Sequence, residues 1–293
     1  MKTTTIQSIA VVGATGMLGT PVTRTLKQEG FSVTAVVRDM QKAQQKLGAG
    51  FYLRKGDLQD KHSLRSAFTD IDYVYLNLST VPDEENREFK TEIDGLQNVI
   101  EAAKSARVKR IGMLSSLVKD YGAFNWWVFD IKREACRLLL EADIPATIFY
   151  PSSFFENLTH LQLKGNRVVM AGDQTTKSWW IGTEDYGHQV AESFRVDNGH
   201  TENREYTVQG QEPFSMEEAI DRFITHYPSR TLKKVKAPMW IFKLLKPFSA
   251  NLDFQYHILT AINQYDEQFQ SEATWKKLGK PETTLAEWAE KQS

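Results

Sequence analysis

Short apolar stretches alternate with amphipathic ones through the first half of the chain. Nearly all-apolar runs rich in β-branched residues predict strands at 8–12, 32–37, 51–54, 72–78, 110–114 and 146–150. Apolar residues at helical spacing predict helices at 17–29, 40–47, 61–68, 84–106 and 130–142. Apolar strands separated by helices are typical of a parallel sheet covered on both faces. The pattern therefore predicts an α/β domain with a Rossmann-like, doubly wound parallel sheet.

The pattern changes after Pro151, where connections lengthen and aromatic residues become frequent. Isolated strands are predicted at 167–170 and 204–208. The sequences S-x-x-E from Ser215 and T-x-x-E from Thr284 are typical of helices that begin with a capping box. These features predict a smaller, mixed α/β C-terminal lobe on the substrate side.

The two predicted domains are interleaved along the chain. Segment 179–194 has the pattern of a strand followed by a capped helix, which would return the chain to the large domain. We therefore expect the Rossmann-like domain to contain residues 1–150 plus about 176–198. The smaller lobe would contain residues 151–175 plus 199–293.

Composition argues against several classes of partner. The 293 residues carry a formal net charge of −1, with 41% hydrophobic and 25% charged residues, so bulk charge gives no attraction to nucleic acid or to a membrane surface. The single cysteine, Cys136, excludes an internal disulfide, and no apolar run has the length of a membrane span or signal peptide. The six histidines lack metal-site spacing. We expect a cytoplasmic protein without a metal.

A glycine-rich turn carries the clearest functional signal. The sequence VVGATGMLG places Gly13, Gly16 and Gly19 between a predicted strand and a predicted helix. Such a turn lets the backbone approach a pyrophosphate, and the helix N-terminus supplies N–H donors. An ordinary strand-to-helix turn is the alternative. We expect dinucleotide binding, with the remaining turn contacts made by Thr15, Met17 and Leu18.

The end of the second predicted strand, VVRD, bears on the choice of cofactor. Asp39 has the nominal position of an acidic residue that binds a ribose 2′-hydroxyl, but it also has the position of a helix N-cap. Arg38 and nearby Lys42 suit a 2′-phosphate. Two cations beside a capping aspartate favour NADP(H) over NAD(H).

Several motifs together resemble a known family. GATGMLG, VVRD, GDLQD (56–60), EIDGLQNVIEAAKSARVKRIGMLSS (92–116) and IPATIFYPSSFFENL (144–158) are similar to atypical short-chain dehydrogenase/reductases of the NmrA-like NAD(P)-binding branch. The similarity extends over nearly the whole chain. It implies a reductase, a cofactor-sensing regulator or an epimerase-like enzyme, and it identifies no substrate.

The resemblance also implies positions for cofactor contacts. Asp57 would contact the adenine amino group and Leu58 its ring, while Asn77 to Ser79 would line the adenosine side. Residues Pro151 to Ser153 would pass beside the nicotinamide. The family often has Arg-Pro where this chain has Tyr150-Pro151. The expected contacts are completed by Ser115 and Tyr150.

The tyrosine of the superfamily's Y-x-x-x-K motif is missing. Lys132 fits the lysine position, which holds the nicotinamide ribose, but Val128 occupies the tyrosine position and cannot transfer a proton. In one hypothesis Lys132 is itself the general acid/base, and in a second Tyr121 reaches in from the preceding loop. In a third no chemistry occurs, and Lys132 only binds ribose or forms a surface ion pair with Glu134 or Asp130.

Further candidates lie near the predicted nicotinamide side. Ser116 is the candidate substrate-orienting serine, although serines at strand ends commonly bond the local backbone. An apolar substrate pocket is predicted from the aromatic residues Trp126, Trp127, Phe154 and Phe155, which could equally join the two lobes. We expect NADPH-dependent reduction of a small carbonyl or activated alkene. A protein partner is expected only for the regulator hypothesis.

Overall fold

The strands and helices follow the chain in an alternating order. A computed structural model describes residues 7–174 and 176–292. The strands are β1 Ser8–Val12, β2 Ser32–Val37, β3 Tyr52–Lys55, β4 Tyr73–Leu76, β5 Arg110–Leu114, β6 Ala146–Pro151, β7 Leu163–Lys164, β8 Arg167–Ala171, β9 Ser178–Trp179, β10 Arg204–Val208, β11 Pro213–Phe214 and β12 Lys233–Ala237. The α-helices are α1 Gly19–Gln28, α2 Met40–Leu47, α3 Lys61–Ala67, α4 Asp94–Ser105, α5 Trp127–Leu140, α6 Thr183–Val196, α7 Met216–His226, α8 Met239–Leu245, α9 Ala250–Gln264, α10 Glu272–Leu278 and α11 Leu285–Glu290.

Seven strands form the central sheet in the order β10-β6-β5-β4-β1-β2-β3. Every neighbouring pair is parallel, which confirms the predicted doubly wound sheet. The strand order reverses beside β1, because β2 pairs with one edge of β1 and β4 with the other. Ligands of such sheets bind at this reversal, outside the carboxyl ends of the strands.

Helices cover both faces of the sheet. On one face α1, α2 and α6 bury apolar side chains such as Val22, Leu47 and Phe194. On the other, α3, α4 and α5 bury side chains such as Leu64 and Leu139. The near-continuous apolar character of the strands follows from this double coverage.

The predicted helix at 84–106 is wrong in its first half. Residues Glu84–Asn86 form only a short 3-10 turn, and α4 begins at Asp94. The intervening loop is closed by side chains, because the Glu84 carboxylate accepts a hydrogen bond from the Thr91 backbone N–H at 3.1 Å. The Asp94 carboxylate likewise accepts one from the Lys90 N–H at 2.6 Å.

The smaller lobe contains two small sheets and its own core. Strands β7, β8 and β12 form one sheet, and β9 pairs with β11. Buried residues of α7 and α11, including Phe223 and Trp288, pack with Phe155 and Trp180. Both predicted capping boxes are present, at the starts of α7 and α11. Strand β10 lies beyond residue 198, yet it forms the edge of the central sheet beside β6.

A buried carboxylate connects the two lobes. Glu156 follows β6 and is 8% exposed. Its Oε1 accepts hydrogen bonds from the Thr183 N–H at 3.1 Å, the Thr183 hydroxyl at 2.5 Å and the Trp288 indole N–H at 3.2 Å. Burial raises the pKa of Glu156 above its ordinary value of 4.5. One side chain therefore joins the loop after β6 to α6 and α11.

A buried arginine fixes the approach to β10. Arg110 opens β5 and is 1% exposed. Its guanidinium donates to the carbonyls of Ala146 at 2.8 Å, His200 at 2.9 Å and Glu202 at 3.0 Å, and to the Thr147 hydroxyl at 3.2 Å. Burial lowers the pKa of Arg110 from its ordinary value. Four oxygens thus hold the guanidinium between β6 and the segment before β10.

Candidate functional site

The glycine turn joins β1 to α1 at the reversal of strand order. Gly13 has a φ of +82°, and a Cβ there would lie 2.2 Å from the carbonyl oxygen of Asn77. A Cβ on Gly19 would lie 2.0 Å from the Gly13 carbonyl oxygen. Gly16 donates its N–H to the same oxygen at 3.0 Å. Side chains at 13 or 19 would therefore collide with backbone, which explains the glycines.

A cleft of about 860 Å³ opens at the carboxyl ends of β1 to β4. Predicted site residues that line it are Gly13, Thr15, Arg38, Lys42, Asp57, Leu58, Asn77 and Ser79. Gly16, Met17 and Leu18 lie in the turn, and Gly19 opens α1. The cleft lies outside the carboxyl ends of these strands, where ligands of doubly wound sheets bind.

The loop after β4 contributes lining residues that the sequence did not predict. They are Val81, Glu84, Arg87, Phe89 and Thr91. The hydrophobic pattern gave no signal for them, because it placed a helix over this segment. Glu84 is 1% exposed and shapes the loop from inside.

Asp39 and Arg38 at the end of β2 have different roles. Asp39 is the N-cap of α2, and its carboxylate accepts the Lys42 backbone N–H at 3.0 Å. This hydrogen bond lowers the pKa of Asp39. Arg38 is exposed and makes no ion pair with any residue of 7–174 or 176–292. The acid is engaged by the helix, whereas the guanidinium is available to a ligand.

Lys132 in α5 is ion-paired with a carboxylate that sequence analysis missed. Its ammonium lies 3.0 and 3.1 Å from the two oxygens of Glu92. Glu92 is 4% exposed, and its Oε1 also accepts the N–H and hydroxyl of Thr80, each at 2.9 Å. Glu92 precedes α4 and lies 40 residues from Lys132, so no local spacing indicates the pair.

The expected surface partners of Lys132 are corrected accordingly. Asp130 is paired with Arg133 at 2.5 Å and Glu134 with Arg137 at 2.5 Å. These acids lie one helical turn from their arginines on the exposed face of α5, whereas Lys132 extends toward a buried carboxylate. A surface ion pair with Glu134 or Asp130 is therefore the wrong interpretation of this lysine.

Val128 and Tyr121 belong to an apolar cluster beside α9. Val128 is 3% exposed and packs in the cluster that contains Trp126, Phe129 and Ala261. The Tyr121 hydroxyl donates to the side-chain oxygen of Gln264, the last residue of α9, at 2.7 Å. The phenol's hydrogen bond is thus directed to α9, and both hydrogen bonds of the Lys132 ammonium go to Glu92.

The serines that follow β5 are also engaged. The Ser116 hydroxyl accepts the Val118 N–H at 3.3 Å and caps the 3-10 turn Leu117–Asp120. Ser115 is buried, and its hydroxyl lies 3.3 Å from the sulfur of Cys136. Burial raises the pKa of the Cys136 thiol. Ser116 thus forms a hydrogen bond with the local backbone, which is the alternative to its predicted role of orienting a substrate.

The segment at the end of β6 is held by neighbouring strands. Tyr150 donates its hydroxyl to Glu205 of β10 at 2.5 Å. Pro151 is the last residue of β6, and the Ser153 carbonyl accepts the Ile181 N–H at 2.9 Å. The path predicted to pass beside the nicotinamide therefore has a fixed backbone.

Three of the four predicted pocket aromatics lie in buried hydrophobic clusters, namely Phe154, Phe155 and Trp126. Phe154 is 5% exposed and meets Tyr186 edge-on with ring centroids 5.4 Å apart. Phe155 is 2% exposed, and its centroid is 5.7 Å from that of Trp288. These contacts are those of lobe packing.

The two tryptophans lie where α5 begins and meets α9. Trp126 is buried, with its ring centroid 5.0 Å from Phe254 and stacked on His257 at 5.7 Å. Trp127 is partly buried and contacts Trp126 edge-on at 6.5 Å. A substrate pocket bounded by this cluster stays a prediction.

Neither a membrane span nor a metal cluster is present in the described part of the chain. No helix within 7–174 and 176–292 is long and apolar enough to cross a bilayer. The same residues contain no group of three or more His, Cys, Asp or Glu side chains arranged to hold a metal ion.

Comparisons with known proteins agree with this geometry. The model of the NmrA-like family matches residues 5–289. The photosystem II assembly factor Ycf39 of Cyanophora paradoxa is 32% identical over 178 residues, which are 60% of this chain and 53% of that protein. An NAD(P)H azoreductase of Xenophilus azovorans is 30% identical over 214 residues, which are 71% of this chain and 69% of that protein. This chain thus matches only about half the length of the Ycf39 relative.

Solved structures show the same fold. An NADPH-dependent quinone oxidoreductase from Escherichia coli, complexed with NADPH, aligns with a TM-score of 0.71 at 24% identity. The alignment covers 96% of this chain and 98% of that chain. At this identity the likeness establishes the fold of both lobes.

Proposed function

The chain belongs to the NmrA-like family, and from that premise we propose that it is an NADPH-dependent reductase of a small organic carbonyl or activated alkene. The observation that carries the proposal is the cleft at the reversal of strand order, with close glycine backbone at one end. Arg38 lines this cleft and makes no ion pair with the described residues, 7–174 and 176–292. Phosphates bind well at such turns and beside arginine. The bound cofactor would supply the hydride.

The residues present fit the cofactor. Gly13 and Gly19 leave no room for a side chain, so the backbone itself would face the pyrophosphate. Arg38 and Lys42 would hold the 2′-phosphate, since Asp39 is occupied as an N-cap. Leu58 would pack on the adenine. Lys132 would donate to the nicotinamide ribose.

The hydroxyl groups near this position already form hydrogen bonds within the protein. We therefore favour a substrate whose reduction needs no proton from a side chain at the tyrosine position of the Y-x-x-x-K motif. Val128 is apolar, Tyr121 donates to Gln264, and Ser116 caps a local turn. A conjugated acceptor spreads the charge left by hydride addition, and its proton can come from water. The azoreductase and quinone oxidoreductase relatives support this class. Lys132 as general acid/base is the alternative within the same proposal.

A regulator that binds the cofactor without chemistry is the second candidate. It is favoured by the same absence of a tyrosine at Val128, and one relative carries the name of an assembly factor. Such a protein would bind both redox forms of the cofactor and signal to a protein partner which form is bound.

We also propose that the protein is cytoplasmic under either candidate function, and cell fractionation tests this location.

The decisive experiment combines binding with turnover. Fluorescence titration of NADPH and NADH is compared for the wild type, Arg38→Glu and the control Arg230→Glu, another exposed arginine. A hydrogen bond to a charged group contributes about 1.5–3 kcal/mol, so Arg38→Glu should weaken NADPH roughly ten- to hundredfold. NADH should change far less, and equal losses would defeat the NADP(H) assignment.

Turnover separates the two candidate functions. Oxidation of NADPH is followed with quinones, aldehydes and activated alkenes. Turnover of any of them supports the reductase. Tight binding of both redox forms at different affinities, with no turnover across the panel, would favour the regulator.

A further inference from the structure

The buried Glu92–Lys132 pair is neutral overall, whereas either residue alone would leave a charge at this position. Resting on the proposed function, we infer that Glu92 is the positioning residue for Lys132 and that its negative charge sets the relative affinity for the oxidised and reduced cofactors.

The geometry leaves the carboxylate little freedom. The Glu92 side chain is 5% exposed and that of Lys132 19%. Oε1 of Glu92 accepts three donors, two of them from Thr80 in the loop after β4, and Oε2 accepts from the ammonium as well. A carboxylate held by the backbone on one side can fix a flexible lysine on the other.

Nothing else in the described surroundings could fix the ammonium. Val128, one helical turn before Lys132, turns into the apolar cluster beside α9 and offers no polar atom. The acids nearest in sequence are occupied by arginines. The position of the ammonium therefore depends on Glu92.

The charge of Glu92 has a separate effect. An unpaired ammonium near the nicotinamide would repel the oxidised ring, which is cationic, more than the neutral reduced ring. Glu92 makes the pair neutral overall, so it removes this bias. Removing the charge of Glu92 while keeping its shape should weaken NADP⁺ more than NADPH, because charges interact strongly in a partly buried site.

The test compares three ligands across five proteins. The proteins are the wild type, Glu92→Gln, Lys132→Met and the double variant, with Glu134→Gln as a control on the exposed face of α5. The ligands are NADPH, NADP⁺ and 2′,5′-ADP, which lacks the nicotinamide ribose. Dissociation constants come from calorimetry, and melting temperatures verify folding.

Glu92→Gln should weaken NADPH roughly tenfold, within the range for coupled neighbours. NADP⁺ should weaken several-fold further. Affinity for 2′,5′-ADP should stay within about twofold, and Glu92→Gln should add nothing in the Lys132→Met background. Loss of 2′,5′-ADP binding, a persistent effect without Lys132, or an unchanged NADP⁺ to NADPH ratio would each overturn the inference.

A second variant keeps the test valid if Glu92→Gln does not fold. Glu92→Asp keeps the charge but shortens the side chain, so it should weaken both nicotinamide cofactors equally and leave their ratio unchanged. A shifted ratio in Glu92→Asp would contradict the charge argument. The proposed function fails separately, if the wild type binds neither NADPH nor 2′,5′-ADP.

Discussion

Glu156 offers a stability test in which the size of the effect depends on pH. Its Oε1 serves three donors, and Oε2 is buried without a partner among the described residues. Glu156→Gln can keep the accepting oxygen in place and removes the titration. Glu156→Ala removes the acceptor and leaves the donors of Thr183 and Trp288 unsatisfied.

The magnitudes follow from burial. Losing the acceptor for three buried donors should cost about 3–5 kcal/mol in Glu156→Ala. Since about 1 kcal/mol moves the melting temperature of a chain this size by roughly 2–4 °C, the melting temperature should fall by roughly 6–20 °C. This loss should be largest at pH 4.5 and below, and it should shrink as pH rises, because the wild-type carboxyl itself stabilises the fold less above its ordinary pKa.

The sign for Glu156→Gln follows from the raised pKa of Glu156. The folded state holds the proton more tightly than the unfolded state, so the carboxyl stabilises the fold fully below its ordinary pKa of 4.5. This stabilisation is lost as pH rises toward the folded pKa, by up to about 1.36 kcal/mol per pH unit. The glutamine does not titrate, so the variant should match the wild type near pH 4.5 and exceed its stability at pH 8.

The assay is thermal melting monitored by fluorescence, with urea unfolding at selected pH values from 4.5 to 8. Other titrating groups are shared by both proteins, so their difference isolates Glu156. A Glu156→Gln protein less stable than the wild type by the same amount at every pH would refute the reasoning. It would mean that the charge of Glu156 is not suppressed in the fold.

Three further predictions concern single residues. Gly13→Ala should abolish NADPH binding and lower the melting temperature, because the added Cβ would lie 2.2 Å from the Asn77 carbonyl oxygen. Gly30 has a φ of +87° and nothing within 4 Å of an added Cβ, so Gly30→Ala should show only backbone strain. Equal effects of the two substitutions on the melting temperature and on NADPH binding would contradict this. Arg110→Met should unfold roughly 6–15 °C lower by calorimetry, since two buried and two partly buried oxygens lose their donor. A shift below about 2 °C would contradict this. Because burial raises the thiol pKa of Cys136, a disulfide reagent should label it slowly in the native protein and fast in urea, and equal rates would disprove its burial.

The strands were predictable because their pattern is local. The predicted bounds of β1, β2, β5 and β10 are those observed. The first three are short, mainly apolar runs, and β10 ends in Tyr-Thr-Val, residues with a high strand propensity. The sheet that β10 joins was not predictable, because its pairing with β6 depends on contacts distant in sequence. The failed first half of the helix predicted at 84–106 has a similar cause, since hydrogen bonds between side chains and backbone close that loop and leave no periodic signal.

In the candidate site, too, features set by neighbouring residues were predictable and those set by distant residues were not. The glycine turn and the capping aspartate Asp39 are set by neighbouring residues, and the sequence predicts both. The partner of Lys132 was missed, because Glu92 lies 40 residues away and only the packing of α4 against α5 brings them together. The sequence shows that Val128 replaces the tyrosine but cannot show what holds the lysine.

The placement of β10 constrains how the protein can be made. Synthesis completes the first six strands before residues 204–208 appear, so the edge of β6 stays unpaired in the nascent chain. The hydrogen bond from the Trp288 indole to Glu156 can form only after residue 288 has been synthesised. An unpaired edge strand invites association with other chains. A fragment ending near residue 150 would expose that edge permanently, so the cofactor-binding half should not be produced as a separate unit.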